Sequence, residues 1–222
     1  MDRIIDIVLP AIPQTLIMVI ASTIIALLIG LPLGIILTTT RPGGLTESLK
    51  VYSILDGIIN ILRSFPFVIL MIVVFPLSRL IVGKSYGTAA MIIPLSVSAA
   101  PFVARLMEGY FIQVDSGIIE AAKSMGSSKR EIIFKVLIPE AMPMIVTGIT
   151  MTIINVIGYS AMAGVMGGGG LGDVANRYGY QRNEPLILWS AVVVIIILVQ
   201  IVQFVGNFLT KKIDKRLSLI HI

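Results

Sequence analysis

The chain has 222 residues, of which 56% are hydrophobic and only 13% are charged. Soluble domains carry roughly 25% charged residues, so this composition is that of a membrane protein. The absence of cysteine excludes disulfides and thiolate metal sites, and the single histidine, His221, lies in the C-terminal tail, away from any site within the membrane. The net charge of +5 could suggest a nucleic-acid partner, but the basic residues are distributed as membrane orientation requires.

Five apolar runs predict an all-α integral membrane protein with five transmembrane helices. About 20 residues are needed to cross the hydrocarbon core of a bilayer. The first and fifth runs reach this length alone, whereas the middle three need their polar or proline-marked ends. The first run is too long for the core of a cleaved signal peptide. The runs cover residues 13–37, 52–75, 88–110, 139–162 and 186–208, and residues 209–222 form a tail.

The second run carries a polar stripe. Asp56, Asn60 and Arg63 are spaced by four and three residues, which places them on one helical face. Such a stripe must face protein or water, because exposing it to lipid costs several kcal/mol. It could line a substrate pathway or contact a partner protein; alternatively, Asp56 and Arg63 neutralise each other or reach the membrane interface. Pro66 is predicted to break this helix, and residues 76–86 to form a connector.

The third run is rich in small residues, which favours close packing between helices. Pro94 and Pro101 are expected to interrupt it. Arg105 and Glu108 follow, and the helix is predicted to continue to Tyr110.

A polar stretch, residues 115–139, separates the third and fourth runs and is called the central loop. Asp115 can cap a short helix, because its side chain can accept hydrogen bonds from the first turn. Gly126 is predicted to end that helix, since glycine adopts a left-handed conformation at little cost. Ser128 and Glu131 match a capping box, which predicts that a second helix starts there.

The second helix of the central loop should run to about Leu137, where Pro139 is expected to end or kink it. The product is a compact pair of helices with an apolar face and a charged face. An amphipathic connector lying on the membrane surface would show the same pattern.

The central loop also carries a motif with long spacing. An acidic residue and two alanines precede a glycine, and a proline follows at a distance. This pattern resembles the EAA signature of ABC importer permeases, departing from it only in the isoleucine before the proline. The motif residues are Glu120, Ala121, Ala122, Gly126, Ile138 and Pro139.

The resemblance extends over about residues 13–207 and is closest to the methionine-uptake permeases, through segments 63–67, 99–105 and 158–162. It implies the type I ABC importer permease fold, with the central loop docked into a cleft of a cytoplasmic ATPase. It also implies a homodimer of this subunit, an ATPase dimer and an external substrate-binding lipoprotein, assembled in the lipid of a bacterial inner membrane. A five-span subunit has few helices to enclose a pathway, which independently favours a dimer.

The end of the fourth run supplies candidates for the translocation pathway. The resemblance implies that Tyr159, Ser160 and Met162 lie at a gate, and a flexible apolar methionine fits a constriction. Core packing explains a single methionine equally well. Asn155 and Ser160 could hydrogen-bond a passing zwitterion or only neighbouring helices. Together with Asn60 and Arg63, these residues are the predicted pathway set.

Four consecutive glycines, residues 167–170, follow the fourth run. No Lys-Ser or Lys-Thr comes after them, which excludes a phosphate-binding loop. A serine-hydrolase elbow at Ser160 is also excluded, because the second glycine and a histidine partner are missing. The glycines form either a flexible outer loop or backbone that packs closely at the pore mouth.

Basic residues predict the orientation. With the central loop in the cytoplasm, five spans place the N-terminus outside and the C-terminus inside. Eleven basic residues then lie inside and five outside, with Arg63 unassigned, as the positive-inside rule requires. The inner residues are Arg41, Lys50, Arg105, Lys123, Lys129, Arg130, Lys135, Lys211, Lys212, Lys215 and Arg216. The outer residues are Arg3, Arg79, Lys84, Arg177 and Arg182.

The chain has no Walker motif, so it is predicted to bind no cofactor and to depend on a partner that uses ATP. We expect the permease subunit of an ATP-driven importer, forming the pathway for an amino acid, with D- or L-methionine as the substrate. The rigid central loop would convert motion of the partner into helix rotation. Alternatives are a permease for another amino acid or a quaternary amine, and an ATP-independent channel or carrier, which leaves the motif unexplained. An intramembrane enzyme fits poorly without histidine or cysteine in the membrane.

Overall fold

The computed structural model describes residues 2–214, and within that range it is entirely helical apart from turns. Three π-helical turns interrupt or extend the α-helices. The α-helices are α1 Asp2–Val8, α2 Ala11–Thr40, α3 Leu49–Ser64, α4 Phe67–Val82, α5 Thr88–Ile112, α6 Ser116–Ser124, α7 Lys129–Glu131, α8 Ile138–Ala163, α9 Gly170–Val174 and α10 Pro185–Ile213. The π-helical turns are Ile132–Leu137, Gly164–Gly168 and Ala175–Tyr180, and the second of them is kinked at Met166 and Gly167, where the backbone is not helical.

Four of these helical segments are long and apolar enough to cross a membrane within the described range. They are Arg3–Thr40, Thr88–Ile112, Lys129–Gly168 and Pro185–Ile213. A fifth crossing is available if α3 and α4, which are bent by 108° at their junction, count as one broken span.

The second predicted run, residues 52–75, therefore does not form one straight helix. The predicted break at Pro66 is confirmed: α3 ends at Ser64, and Pro66 precedes α4 in an extended conformation. The predicted connector 76–86 is wrong, because α4 continues through Pro76 to Val82 and ends at Gly83, whose φ is +81°.

The packing of α2 against α5 forms the centre of the molecule. Gly30 of α2 lies against the backbone of Ala100, and Gly34 lies against Met107, so the two helices approach closely. The residue numbers rise together in the two contacts, from Gly30 with Ala100 to Gly34 with Met107, so α2 and α5 are parallel. The chain between two parallel spans has to return across the membrane, and α3 with α4 makes that return.

The prediction that prolines interrupt the third span is wrong, because α5 is continuous through Pro94 and Pro101. Pro94 removes one amide donor, that for the carbonyl of Ala90. Two residues further along, the carbonyl of Ile92 accepts hydrogen bonds from Ser96 at 2.7 Å and from Ser22 of α2 at 3.3 Å, which ties this part of α5 to α2.

The second helix of the central loop does not end at Leu137. It continues through a π-helical turn, Ile132–Leu137, into α8, so that residues 129–163 form one long helical segment. The proline ring would clash with the carbonyl four residues earlier in a regular α-helix. The wider π-helical turn lies where Pro139 would create that clash, and it replaces the expected boundary.

The glycine run packs closely instead of forming a flexible loop. The amide of Gly170 donates to Oε1 of Gln14 at 2.7 Å, and the carbonyl of Gly168 accepts from Oγ1 of Thr88 at 3.2 Å. Gly170 has a φ of +75°, a conformation that side chains other than glycine rarely adopt. The run therefore fastens the starts of α2 and α5 together.

The fifth span extends five residues further at its C-terminal end than predicted, because α10 continues to Ile213 and includes the first part of the predicted tail. Lys215, Arg216 and His221 lie outside the described residues.

The α2–α5 contact yields a test. A Cβ at Gly34 would lie 2.6 Å from Cβ of Met107, whereas nothing lies within 4 Å of a Cβ at Gly109. We expect Gly34→Val to destabilise the detergent-solubilised protein by about 1–3 kcal/mol, the range for overpacking. Gly109→Val, on the open side of α5, should change the free energy of unfolding much less. Equal thermal stabilities of the two variants would contradict this account of the core.

Candidate functional site

The central loop has the local structure that its caps predict. Asp115 accepts from the amide of Gly117 at 2.8 Å and starts α6. Gly126 follows the end of α6 with a φ of +80°. Ser128 and Glu131 then form both halves of the capping box that starts α7.

Glu131 is fixed by a second interaction. Its carboxylate accepts from Lys135 Nζ at 2.9 Å, as well as from the backbone and side chain of Ser128. These contacts, Lys135 foremost, lower the pKa of Glu131 to about 2. The carboxylate is therefore ionised at neutral pH, and the turn between α6 and α7 is held by a charged hydrogen-bond acceptor.

The motif residues of the central loop divide into a buried side and an exposed side. Ala122 is 3% exposed, whereas Glu120 and Ala121 beside it are exposed. Near the C-terminal end of the motif, Ile138 is half-buried and Pro139 is exposed. The buried alanine anchors α6 to the body of the protein, and the exposed pair is free to contact another molecule.

Large apolar side chains also project from this end of the molecule. Met125 is 79% exposed and Phe134 is 66% exposed. They lie close in sequence to Lys129 and Arg130, which are exposed as well. Exposed apolar groups rimmed by charges are typical of a protein–protein contact surface.

A cleft of about 150 Å³ lies between the central loop and the turn that follows α2. Glu120 and Lys123 of α6 line one wall, and Arg41 and Thr38 line the other. The cleft places Glu120 of the motif beside charged and hydroxyl groups from a distant part of the sequence.

A charge network joins α3 to α5. Arg105 donates to Asp56 at 2.5 Å, to Asn60 at 2.9 Å and to Glu108 at 2.6 Å. Asn60 in turn donates to Asp56 at 3.0 Å. The Glu108 side chain is only 4% exposed, so Arg105 neutralises a buried carboxylate.

The alternative in which Asp56 and Arg63 neutralise each other is therefore wrong. Asp56 pairs with Arg105, 49 residues away, and Arg63 is exposed at the end of α3. The sequence places Arg105 and Glu108 three residues apart on one helix, which predicts their contact. It does not indicate which face of α5 meets α3.

The structure divides the predicted pathway set between two places. Asn60 lies in an open groove at the bend between α3 and α4, with Arg63 one turn further along α3. Asn155 and Met162 share one face of α8, where Met162 is 47% exposed. No described contact brings the two places together within this chain.

Two members of the set have other contacts. The ring of Tyr159 stacks on Phe67 of α4, with centroids 4.4 Å apart and an interplanar angle of 8°. The hydroxyl of Ser160 is buried and donates to the carbonyl of Ile157 in its own helix at 2.7 Å. Tyr159 thus holds α4 against α8, and the described hydrogen bond of Ser160 lies within α8.

These features define a class of protein: a multi-pass membrane subunit with a rigid, exposed loop at one end. A family model described as the inner membrane component of binding-protein-dependent transport systems matches residues 30–219. The chain belongs to this family. It is a permease subunit, the non-enzymatic membrane component of an ABC importer, as the EAA motif predicts.

Individual relatives are more specific. The chain is 47% identical over 211 residues to a probable D-methionine transport system permease from Vibrio cholerae, covering 95% of this chain and 94% of that protein. It is 45% identical to the methionine import system permease of Bacillus subtilis, with 82% of each protein covered. A solved MetNI methionine ABC transporter in an inward-facing conformation matches with a TM-score of 0.95 and 39% identity, over 97% of this chain and 100% of that one.

A more distant structure shows the fold alone. An amino acid ABC transporter solved with histidines matches with a TM-score of 0.72 at 19% identity, covering 95% of this chain and 94% of that one. The predicted all-helical type I ABC permease fold is confirmed by these similarities together with the helices of the described chain.

The charge network yields a second test. Arg105→Ala would leave the buried Glu108 without its ion-pair partner, and breaking such a pair costs about 3–5 kcal/mol. We expect that variant to lower the unfolding temperature of the detergent-solubilised protein markedly. Arg63→Ala removes the same charge from an exposed position and should have little effect. Equal shifts for the two variants would show that Arg105 does not neutralise a buried charge.

Proposed function

We propose that this protein forms the methionine pathway of an ABC importer and is driven through its central loop by a separate ATPase. The assignment of methionine as the substrate is based on the similarity to methionine permeases, which are 45–47% identical over 82–95% of this chain. The structural similarity to a methionine transporter, at a TM-score of 0.95, supports the same assignment. D- and L-methionine are both within the proposal.

The central loop is the proposed contact with the ATPase. Its exposed residues Glu120, Ala121, Met125 and Phe134 supply a charge and apolar surface for a cleft in the partner. Its caps, and the continuous helix from Lys129 into α8, make the connection stiff. A stiff connection transmits displacement of the partner to α8 and from there to the pathway.

In the cell, the proposed assembly contains two copies of this chain, two ATPase subunits that use ATP, and an external substrate-binding protein, within the lipid of the inner membrane. The family description itself names a binding protein. The proposed orientation has the central loop and the C-terminus in the cytoplasm, as the distribution of basic residues favours.

The pathway is proposed to pass the bend between α3 and α4 and the exposed face of α8. Asn60 and Arg63 at the bend, and Asn155 and Met162 on α8, offer polar contacts and a flexible apolar constriction. Tyr159 and Ser160 are proposed to position this face of α8 rather than to contact the substrate, because their described contacts lie elsewhere.

The substrate is tested in proteoliposomes that contain this chain, its ATPase and its binding protein. We expect ATP-dependent accumulation of labelled methionine, which is outcompeted by unlabelled methionine and not by a quaternary amine such as glycine betaine. Accumulation of the quaternary amine in place of methionine would overturn the assignment. Accumulation without ATP or the ATPase would instead identify a channel or carrier.

The coupling role is tested at Glu120. Glu120→Lys reverses the charge of an exposed motif residue, and we expect it to lower copurification of the ATPase at least several-fold while membrane insertion is unchanged. Glu47→Lys makes the same charge change in the turn after α2 and serves as the control. Normal copurification and normal substrate-stimulated ATP hydrolysis by Glu120→Lys would remove the central loop from the proposed contact.

A further inference from the structure

Helix α10 presents three distinct faces. One packs on the protein, with Ala191 and Gly206 buried. A second is apolar and exposed, and its side chains are 51–74% accessible: Ile197, Ile201, Phe204 and Phe208. The third consists of Gln200, Gln203, Asn207 and Thr210, spaced by three, four and three residues, and we call it the amide face.

Gln200, Gln203 and Asn207 of the amide face lie within about 12 Å of the middle of α10, and the hydrocarbon core of a bilayer is about 30 Å thick. Helix α10 has 29 residues, or about 43 Å, and Gln200 is near its midpoint. Gln200 and Asn207 are exposed and Gln203 is half-buried. Among the described residues, Gln203 donates to Asn207 at 2.9 Å, and this single bond leaves most of the amide donors and acceptors unused. Amides in this state do not face lipid, because each unsatisfied polar group costs several kcal/mol there.

A matching face lies on the adjacent helix. Thr147, Met151, Asn155, Gly158 and Met162 recur every three or four residues and share one side of α8. The hydroxyls of Thr147 and Thr210 are 3.3 Å apart, and Gly206 packs on Thr150. This antiparallel register places Gln200 at the level of Asn155.

A small cavity connects the two helices at this place. It measures about 30 Å³ and is lined by Thr147 and Met151 of α8 and by Gln203 and Asn207 of α10, among others. Its polar lining and volume suit one water molecule. Polar groups thus extend from α10 across to the side of α8 that carries the candidate gate residue Met162.

The side chains on this surface distinguish a pathway from a contact between subunits. Closely packed membrane helices use small residues at their interface, as Gly30 and Gly34 do where α2 meets α5. The surface formed by the two faces also has small residues, Thr147, Gly158 and Thr210, but its other side chains include long, flexible glutamines and methionines. Such side chains suit a water-filled space whose shape changes during transport.

We propose that the amide face of α10, together with the facing residues of α8, lines the membrane-embedded part of the pathway and binds the ammonium and carboxylate groups of an amino-acid zwitterion. This rests on the proposed function. An amide carries both a donor and an acceptor, so it serves both charged groups of the substrate. It has no net charge, and the substrate is therefore held weakly enough to leave again.

Accessibility tests the position of the amide face. The chain has no native cysteine, so a reaction of this subunit with a thiol reagent can be assigned to a single introduced cysteine. In the assembled transporter in nanodiscs, we expect Gln203→Cys and Asn207→Cys to react with a charged methanethiosulfonate reagent at least about tenfold faster than Phe204→Cys, because a charged reagent is excluded from lipid. Equal rates would overturn the proposal. So would a Gln203→Cys that cross-links to its twin in the second copy without reacting with the reagent, because the face would then be a subunit contact.

Transport tests the contact with substrate. Gln203→Leu should lower methionine uptake about fivefold to tenfold, the effect of losing one hydrogen bond. Gln203→Asn should restore most of the uptake, and Phe204→Leu should have little effect. Unchanged uptake by Gln203→Leu would overturn the contact. The rates at which the cysteines react with the reagent do not depend on which solute is transported. If methionine is not the substrate, the wild-type protein will show no methionine uptake, while the labelling pattern of the cysteine variants will be unchanged.

Discussion

The close packing of α2 on α5 is the contact on which the rest of the structure depends. Glycines at the interface allow two parallel membrane helices to approach until backbone meets side chain. Because the two helices are parallel, the chain between them has to cross the membrane in the opposite direction. The bent pair α3 and α4 makes this crossing. At one end the glycine run fastens both helices, and at the other the end of α5 leads directly into the central loop.

The charge network and the central loop make this framework suitable for transmitting force. Arg105 of α5 pairs both with Asp56 of α3 and with the buried Glu108 of its own helix. This network attaches the bent pair α3 and α4 to α5. The central loop has few internal degrees of freedom, because each helix in it starts with a side-chain cap. A permease without ATPase motifs needs this stiffness, since its motion has to originate in another protein.

The sequence predicted those features whose causes are local. The caps at Asp115 and Ser128, the turn at Gly126 and the break at Pro66 depend on neighbouring residues, and the structure contains all of them. Features that depend on distant contacts were predicted incorrectly or were missed. The partner of Asp56 is 49 residues away, and the carbonyl of Ile92 in α5 accepts a hydrogen bond from Ser22 of α2, 70 residues away. The amide face was not predicted, although its spacing of three and four residues is present in the sequence, and its neighbour on α8 becomes apparent only once the register of the two helices is known.

The π-helical turn at Ile132–Leu137 has a consequence for how this family can vary. A turn of this kind holds one residue more than an α-helical turn, so it stores a single-residue insertion within an otherwise regular helix. Removing one residue there would restore ordinary α-helical spacing and preserve the angular relation between the segments before and after it, provided that the residue at Pro139 also changes and no longer clashes with the preceding turn. The same deletion within α8 would rotate one segment against the other by about 100°. Length changes compatible with transport should therefore concentrate at this turn.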